Sequence, residues 1–164
     1  MKKIYSLILP LTFIFMLVSC SPNTSDEIKV DEKQVMNYTH NANETELARL
    51  INEHRVSIGL NELEIINHIS FKSEEHNEYM IANKVVNHDF FQERSQNIIH
   101  VLGAVKVNEN VAYNYVTPEA ALNAWLNSPG HKANIEGAFT HFGISITSDP
   151  ETGKKYFTNI FVKK

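Results

Sequence analysis

The stretch SPGHKANIEGAFTHFGISI, residues 128–146, places a histidine where a helix begins. Proline suits the first helical position because the N–H it lacks would have no partner there. His131 therefore falls in the first turn, where unpaired backbone N–H groups carry partial positive charge and disfavour protonation of a nearby imidazole. A neutral imidazole is the form that a metal ion or a general-base step requires. Gly130 leaves room beside it for a ligand or another backbone. Taken alone, His131 reads first as a structural or solvent-facing residue. Ser128 also has two readings, a nucleophile next to His131 or a helix cap, and capping is the expected one because it commits the hydroxyl to backbone amides. The sequence contains no H-E-x-x-H metalloprotease helix.

The elements that must position these residues follow from periodicity. In NETELARLINEHRVSIG, Asn43 with Glu46 three residues later predicts a cap, and Leu47, Leu50, Ile51, His54 and Ile58 share one helical face. Gly59 ends that helix. A second helix is predicted in ISFKSEEHNEYMIANK, where Ile69, Ser73, His76 and Met80 line one face, so His76 points inward. It could lie under a cleft or simply be a packed, hydrogen-bonded histidine. Thr117-Pro118 opens a third helix, bearing Ala121, Ala124 and Trp125, and Ser128-Pro129 a short fourth. HFGISIT and KKYFTNIFVK then alternate as strands around the turn SDPETG, and GAVKVNENVAY supplies a further extended piece at the sheet edge. Phe142, Ile144 and Ile146 share a face, whereas the second strand has Tyr156, Ile160 and Val162 on one face and Phe157 and Phe161 on the other. Apolar groups on both faces need cover on both sides, so the simplest architecture is α+β, a small antiparallel sheet between two helical layers. Trp125, Tyr156, Phe157 and Phe161 are assigned to the core. His40, His68 and His100 are placed in the tether and connections without a role.

The chain has 164 residues, 43% hydrophobic and 21% charged, which suits one globular domain. MKKIYSLILPLTFIFMLVSC has the layout of a secretory signal, two lysines followed by an apolar run too short for a comfortable membrane span. Leu17-Val18-Ser19-Cys20 resembles the bacterial lipobox, which makes Cys20 a lipid attachment point and explains a secreted chain with one cysteine. The expected organisation is a lipoprotein signal at 1–19, a lipidated Cys20 with a flexible polar tether at 20–43, and a folded domain at 44–164. Loss of the signal leaves 13 basic against 19 acidic residues, a net charge of −6 that argues against nucleic acid as a partner. The expected location is a membrane-anchored position outside the cytoplasm, at the outer membrane or cell surface.

Several pieces in order resemble the bacterial branch of the CAP superfamily, also called SCP-like. Trp125, Ser128, Pro129, Gly130, His131, Asn134, Ile135, Phe139 and Gly143 fit its W-x-x-S-P-G-H-x-x-N-I and F-x-x-x-G-[VI] patterns. ARLINEHR, with Asn52 and Arg55, is similar to the family's first helix, SEEHNEYM to its second, VVNHDFF to its first cavity-histidine segment, NENVA to G-E-N-[IV]-A, and KYFTNIF to the closing strand. The resemblance spans residues 44–162 and implies a three-layer α-β-α sandwich. It also implies a cleft lined by His88, Glu109 and His131, with His76 and Ser128 in support, and a divalent metal such as zinc held through His88 and His131. The second cavity glutamate of the family is replaced by Ser128, which lowers the negative charge of such a site. Asn108 stands in place of glycine before Glu109, expected to bear on the turn delivering that carboxylate, and Asn159 replaces glutamine with a shorter amide.

Two functions follow from this reading. The first is a non-enzymatic, surface-anchored binding module for a small apolar ligand such as a lipid or sterol, a metal, or a host protein. The alternative is a hydrolase of the peptidase kind, in which Glu109 or neutral His131 activates water, alone or on a metal; no catalytic residue is assigned, because a nucleophile with its base and orienting partner is not recognisable. A third reading has the cleft residues holding loops together.

Overall fold

The computed structural model describes residues 34–164. The signal sequence, Cys20 and the tether as far as residue 33 lie outside the described residues. The elements run α1 (Ala42–Ser57), β1 (Glu64–Ile65), α2 (Asn67–Asn83), α3 (Phe91–Leu102), β2 (Lys106–Tyr113), α4 (Pro118–Leu126), α5 (Pro129–Ile135), β3 (His141–Ser148) and β4 (Lys155–Lys163). The strands form one sheet in the order β1-β3-β4-β2, with β1 parallel to β3 and the other pairs antiparallel.

Strand alternation sends Phe142, Ile144, Ile146, Phe157 and Phe161 to one face, where they pack with Leu47 and Ile51 of α1, Trp125 of α4 and Ile135 of α5. Ile160, Val162 and Val107 point to the other face and meet Ile69 of α2 and Ile98 of α3. Helices thus cover both faces, and the fold is the α-β-α sandwich that two-sided strands require. Gly143 lets the layers approach closely: a Cβ there would lie 2.3 Å from the Ser70 backbone nitrogen, so α2 rests directly on β3. The four aromatics assigned to the core, Trp125, Tyr156, Phe157 and Phe161, are all buried.

Local details differ from expectation. The cap of α1 is Asn41, not Asn43: its side chain accepts from Glu44 N at 3.0 Å, and Glu44 Oε2 accepts from Asn41 N at 2.8 Å. The buried face of α1 carries Glu44, Leu47, Ala48, Ile51 and Arg55, while Ile58 is exposed. Hydrophobic periodicity passes over Arg55, whose guanidinium donates to Asn61 O at 2.8 Å, Ile135 O at 2.6 Å and Gly137 O at 2.9 Å. Asn52 pairs in both directions with the backbone of Leu63, so both residues of the N-x-x-R pattern clamp segments around α1.

The helix α3 was not anticipated, nor was β1. His100 lies in the last turn of α3, and His68 in the first turn of α2, rather than in connections. Asn108 is a strand residue of β2, not part of a turn, and donates to Asn134 Oδ1 at 2.6 Å.

Residues 36–40, placed in the tether, bind to the domain. Met36 N donates to His68 Nδ1 at 3.2 Å, the Tyr38 hydroxyl to Glu44 Oε1 at 2.6 Å and Ser145 Oγ at 3.1 Å, and His40 Nε2 lies 2.8 Å from Ser70 Oγ. The side chains they fix close the edge of the sheet. β1 covers only His141 and Phe142 of β3. Beyond it, Ile144 N donates to Ser70 Oγ at 3.1 Å and Ile146 N to Glu44 Oε1 at 2.8 Å, so side chains cap a strand edge that would otherwise invite pairing.

Candidate functional site

The edge strand β2 divides the candidate residues. Glu109 shares a face with Val107 and Val111 and points toward α2 and α3, whereas Asn108, Asn110 and Ala112 point toward α4 and α5. On the first side, the Glu109 side chain is 1% exposed. Arg94, from the first turn of α3, donates Nε to Oε2 at 3.0 Å and Nη2 to Oε1 and Oε2 at 2.9 Å each. His88 Nδ1–H donates to Oε1 at 2.9 Å. That bond fixes the tautomer and leaves Nε2 of a half-exposed ring as its outward nitrogen.

His76 is buried beneath this cluster, as its inward phase on α2 required. Its Nε2–H donates to Asn87 O at 2.8 Å and lies 3.8 Å from Glu109 Oε1, while Nδ1 has no partner. Burial lowers its pKa below the usual histidine range, with a further lowering from Arg94 and His88 and an opposing pull from Glu109. The segment that carries His88 is tied at several points. Asp89 Oδ2 accepts from the Tyr79 hydroxyl and Asn87 Nδ2 at 2.8 Å each, and Asp89 O accepts from Arg94 Nη1 at 2.6 Å. Phe90 follows with φ of 58°, a left-handed backbone that an aromatic residue rarely adopts, and its ring stands edge-on to Tyr79 at 5.1 Å.

His131 occupies the other side. Its carbonyl accepts from Asn110 Nδ2 at 3.0 Å, and Asn134 Nδ2 reaches both Asn110 Oδ1 at 2.8 Å and Glu109 O at 3.2 Å, which seats α5 on the rim of β2. The ring lines a cleft of about 290 Å³ together with Val111, Ala112, Tyr113, Tyr115, Ala124, Trp125 and Ser128. Burial lowers the His131 pKa, and a charge on His88 lowers it further. The structure thus brings His88, Glu109 and His76 into contact, and places His131 and Ser128 in a cleft beyond the edge strand. Ser128 occupies the N-cap position of α5, but its hydroxyl makes no capping bond.

Arg94 was missed by sequence reading. Its signal was there: Phe91, Arg94, Ile98 and Leu102 recur at helical offsets and Gly103 follows, so an arginine stood on the inner stripe of an unrecognised helix. Asn159, shorter than the family glutamine, is fully buried between Asn110 and Ile144 with neither amide atom partnered.

The donor set does not fit a metal centre built on three protein ligands. Zinc sites take three or four such donors. Among the described residues no group of three His, Cys, Asp or Glu is arranged to hold a metal ion. The Glu109 carboxylate is committed to Arg94 and His88.

The layering and the SPGH helix beside a rim cleft define a class, the small α-β-α sandwich domains of the SCP type. The chain belongs to the CAP family, the cysteine-rich secretory proteins, whose model matches residues 48–162. It does so with no cysteine in residues 34–164. An outer surface protein from Borrelia burgdorferi shares the fold, with a TM-score of 0.67 and 23% identity over 79% of this chain and 99% of that one. An extracellular SCP-domain protein from Bacillus anthracis gives a TM-score of 0.65 at 26% identity, over 74% of this chain and 40% of the other. A cysteine-rich secretory protein from Staphylococcus aureus gives 0.61 at 21%, over 74% and 39%. The uncharacterized membrane protein YlbC of Bacillus subtilis is 42% identical over 60 residues, which make up 36% of this chain but 16% of that protein. The chain therefore spans a small part of that curated relative. No helix among the described residues is long and apolar enough to cross a membrane.

Proposed function

We propose that this protein is a binding module displayed outside the cytoplasm and held to a membrane by lipid on Cys20, with the cleft beside His131 as its ligand site. The observation that carries the reading is the cleft's lining. Ala112, Ala124, Tyr115 and Trp125 form apolar and aromatic walls, Val111 and Tyr113 border them along β2, and Ser128 and His131 add two hydrogen-bonding groups, the composition of a small-ligand pocket. At about 290 Å³ the cleft stands at the lower end of the range for such pockets, which favours a short acyl chain or a single aromatic ring. The commitment of Glu109 to Arg94 weighs against the hydrolase alternative, because a carboxylate saturated with donors and shielded from solvent is poorly placed to take a proton from water.

Trp125 is the sole tryptophan and forms part of the cleft wall, so its emission reports occupancy. Titration with octanoate and with indole is expected to change that emission saturably with at least one probe, and His131→Ala and Tyr115→Ala are expected to weaken the response about tenfold, the loss of about 1.4 kcal/mol of contact. No response to either probe, or undiminished binding in both variants, removes the cleft as the site. The anchor is tested separately: incorporation of labelled palmitate should be lost in Cys20→Ser, and incorporation that persists there would refute it.

A further inference from the structure

We propose that Arg94 is a cation built into the protein at the position a metal ion would need against Glu109, so that the segment carrying His88 is held by an ion pair and requires no divalent ion. An ionised carboxylate offers about four lone-pair positions. Here three nitrogen donors make four contacts with it: Oε1 accepts from Arg94 Nη2 and His88 Nδ1, and Oε2 accepts from Arg94 Nε and from the shared Nη2, at 2.9–3.0 Å. The nearest additional nitrogen, His76 Nε2, directs its proton to Asn87 O and so offers no lone pair in that direction. A metal ion entering this cluster would have to displace a guanidinium that is itself nearly buried and bound bidentately, the strongest form of carboxylate pairing available to a side chain.

The same guanidinium extends the pairing into the backbone. Its Nη1 donates to Asp89 O at 2.6 Å, directly after His88, and the Asp89 carboxylate is fixed by Tyr79 and Asn87. Arg94 therefore links three parts of the fold: the carboxylate of β2, the first turn of α3 and the segment 87–90. A divalent ion could bridge such parts through carboxylate and imidazole donors; the arginine does so with hydrogen-bond donors and leaves the cluster charge-compensated. The inference is independent of what the cleft binds.

The test combines a metal titration with a double-mutant cycle on the full chain. In the wild-type protein the melting temperature should be the same in excess EDTA and in excess zinc, and amide exchange of residues 86–91 should be equally slow in both. Arg94→Met, which leaves Glu109 buried without its cation, should lower the melting temperature by about 10 °C and speed exchange in that segment. Combining it with Glu109→Gln should recover at least half of the loss, because the stranded charge is gone. If Arg94→Met does not fold, the wild-type titration and the double variant still decide. A zinc-dependent rise in wild-type melting temperature that disappears in His88→Ala would overturn the proposal. Unchanged melting and exchange in Arg94→Met, or a double variant as destabilised as the sum of its singles, would do so as well.

Discussion

Two buried glutamates hold this sandwich together, and they are satisfied in different ways. Glu44, in the first turn of α1, is met by neutral donors: the Tyr38 hydroxyl, the Asn41 amide and the Ile146 amide at 2.6–2.8 Å. Glu109, in the middle of β2, is met by a guanidinium and an imidazole. The first glutamate joins a helix cap to a strand edge, and the donors to its carboxylate are backbone amides and a phenol. The second is a compact charge cluster beside the rim where the candidate cleft opens. Neutral donors can be lost one at a time at modest cost. A paired buried charge fails as a unit, because either partner left alone is an uncompensated ion.

The contrast is broken most strongly at Arg94. Arg94→Met is expected to cost about 3–5 kcal/mol of unfolding free energy in urea titrations. Glu44→Ala should cost less, about 2–3 kcal/mol, since it leaves the Ile146 and Asn41 amides without their acceptor but strands no opposite charge. Equal losses at the two sites would erase the distinction between neutral and ionic satisfaction. Tyr38→Phe removes one hydrogen bond to Glu44 and should cost about 1 kcal/mol. That variant also tests whether residues 36–40 belong to the folded domain, for a free tether would give no loss at all.

Acid sharpens the comparison from another direction. Burial holds the pKa values of His76 and His68 below the ordinary histidine value of 6.5. Each then binds fewer protons folded than unfolded, so its contribution is fully present above pH 6.5 and is lost as the pH falls below it. The loss approaches 1.4 kcal/mol per pH unit for each histidine until its folded pKa is reached. Melting temperature is therefore expected to decline between pH 6.5 and 5, and less steeply in His76→Gln, whose amide can still donate to Asn87 O. An identical slope in that variant would assign the acid sensitivity elsewhere.

What the sequence made legible follows the same division. Glu44 takes part in a local capping box, but the spacing pointed to Asn43 with Glu46, two residues late, so the helix was recognisable from the sequence and the role of Glu44 was not. His76 was legible as an inward residue because period 3.6 settles it. The two-sided apolar pattern of β4 required helices on both faces, and they are there. Arg94 was not legible as the partner of Glu109, because the contact joins residues 15 apart in different elements and depends on α3, a helix with no side-chain cap to announce it. The family pattern supplied positions for His88, Glu109 and His131 but not their mutual arrangement. Only the sheet order, with β2 at the edge, determines that Glu109 faces one layer while His131 lies beyond the rim in the other.

The smallest expected effect concerns Ser128. A serine before Pro129 has the sequence signature of a cap, and removing a capping hydroxyl typically costs about 1 kcal/mol. The Ser128 hydroxyl makes no such bond and lines the cleft with His131. Ser128→Ala should therefore leave unfolding free energy within about 0.5 kcal/mol of wild type. If the cleft is the ligand site, the same substitution should weaken the Trp125 emission response while stability is unchanged. A loss of 1 kcal/mol or more with binding intact would return Ser128 to the helix as its cap, and would leave His131 as the one polar residue whose side chain is committed to the cleft.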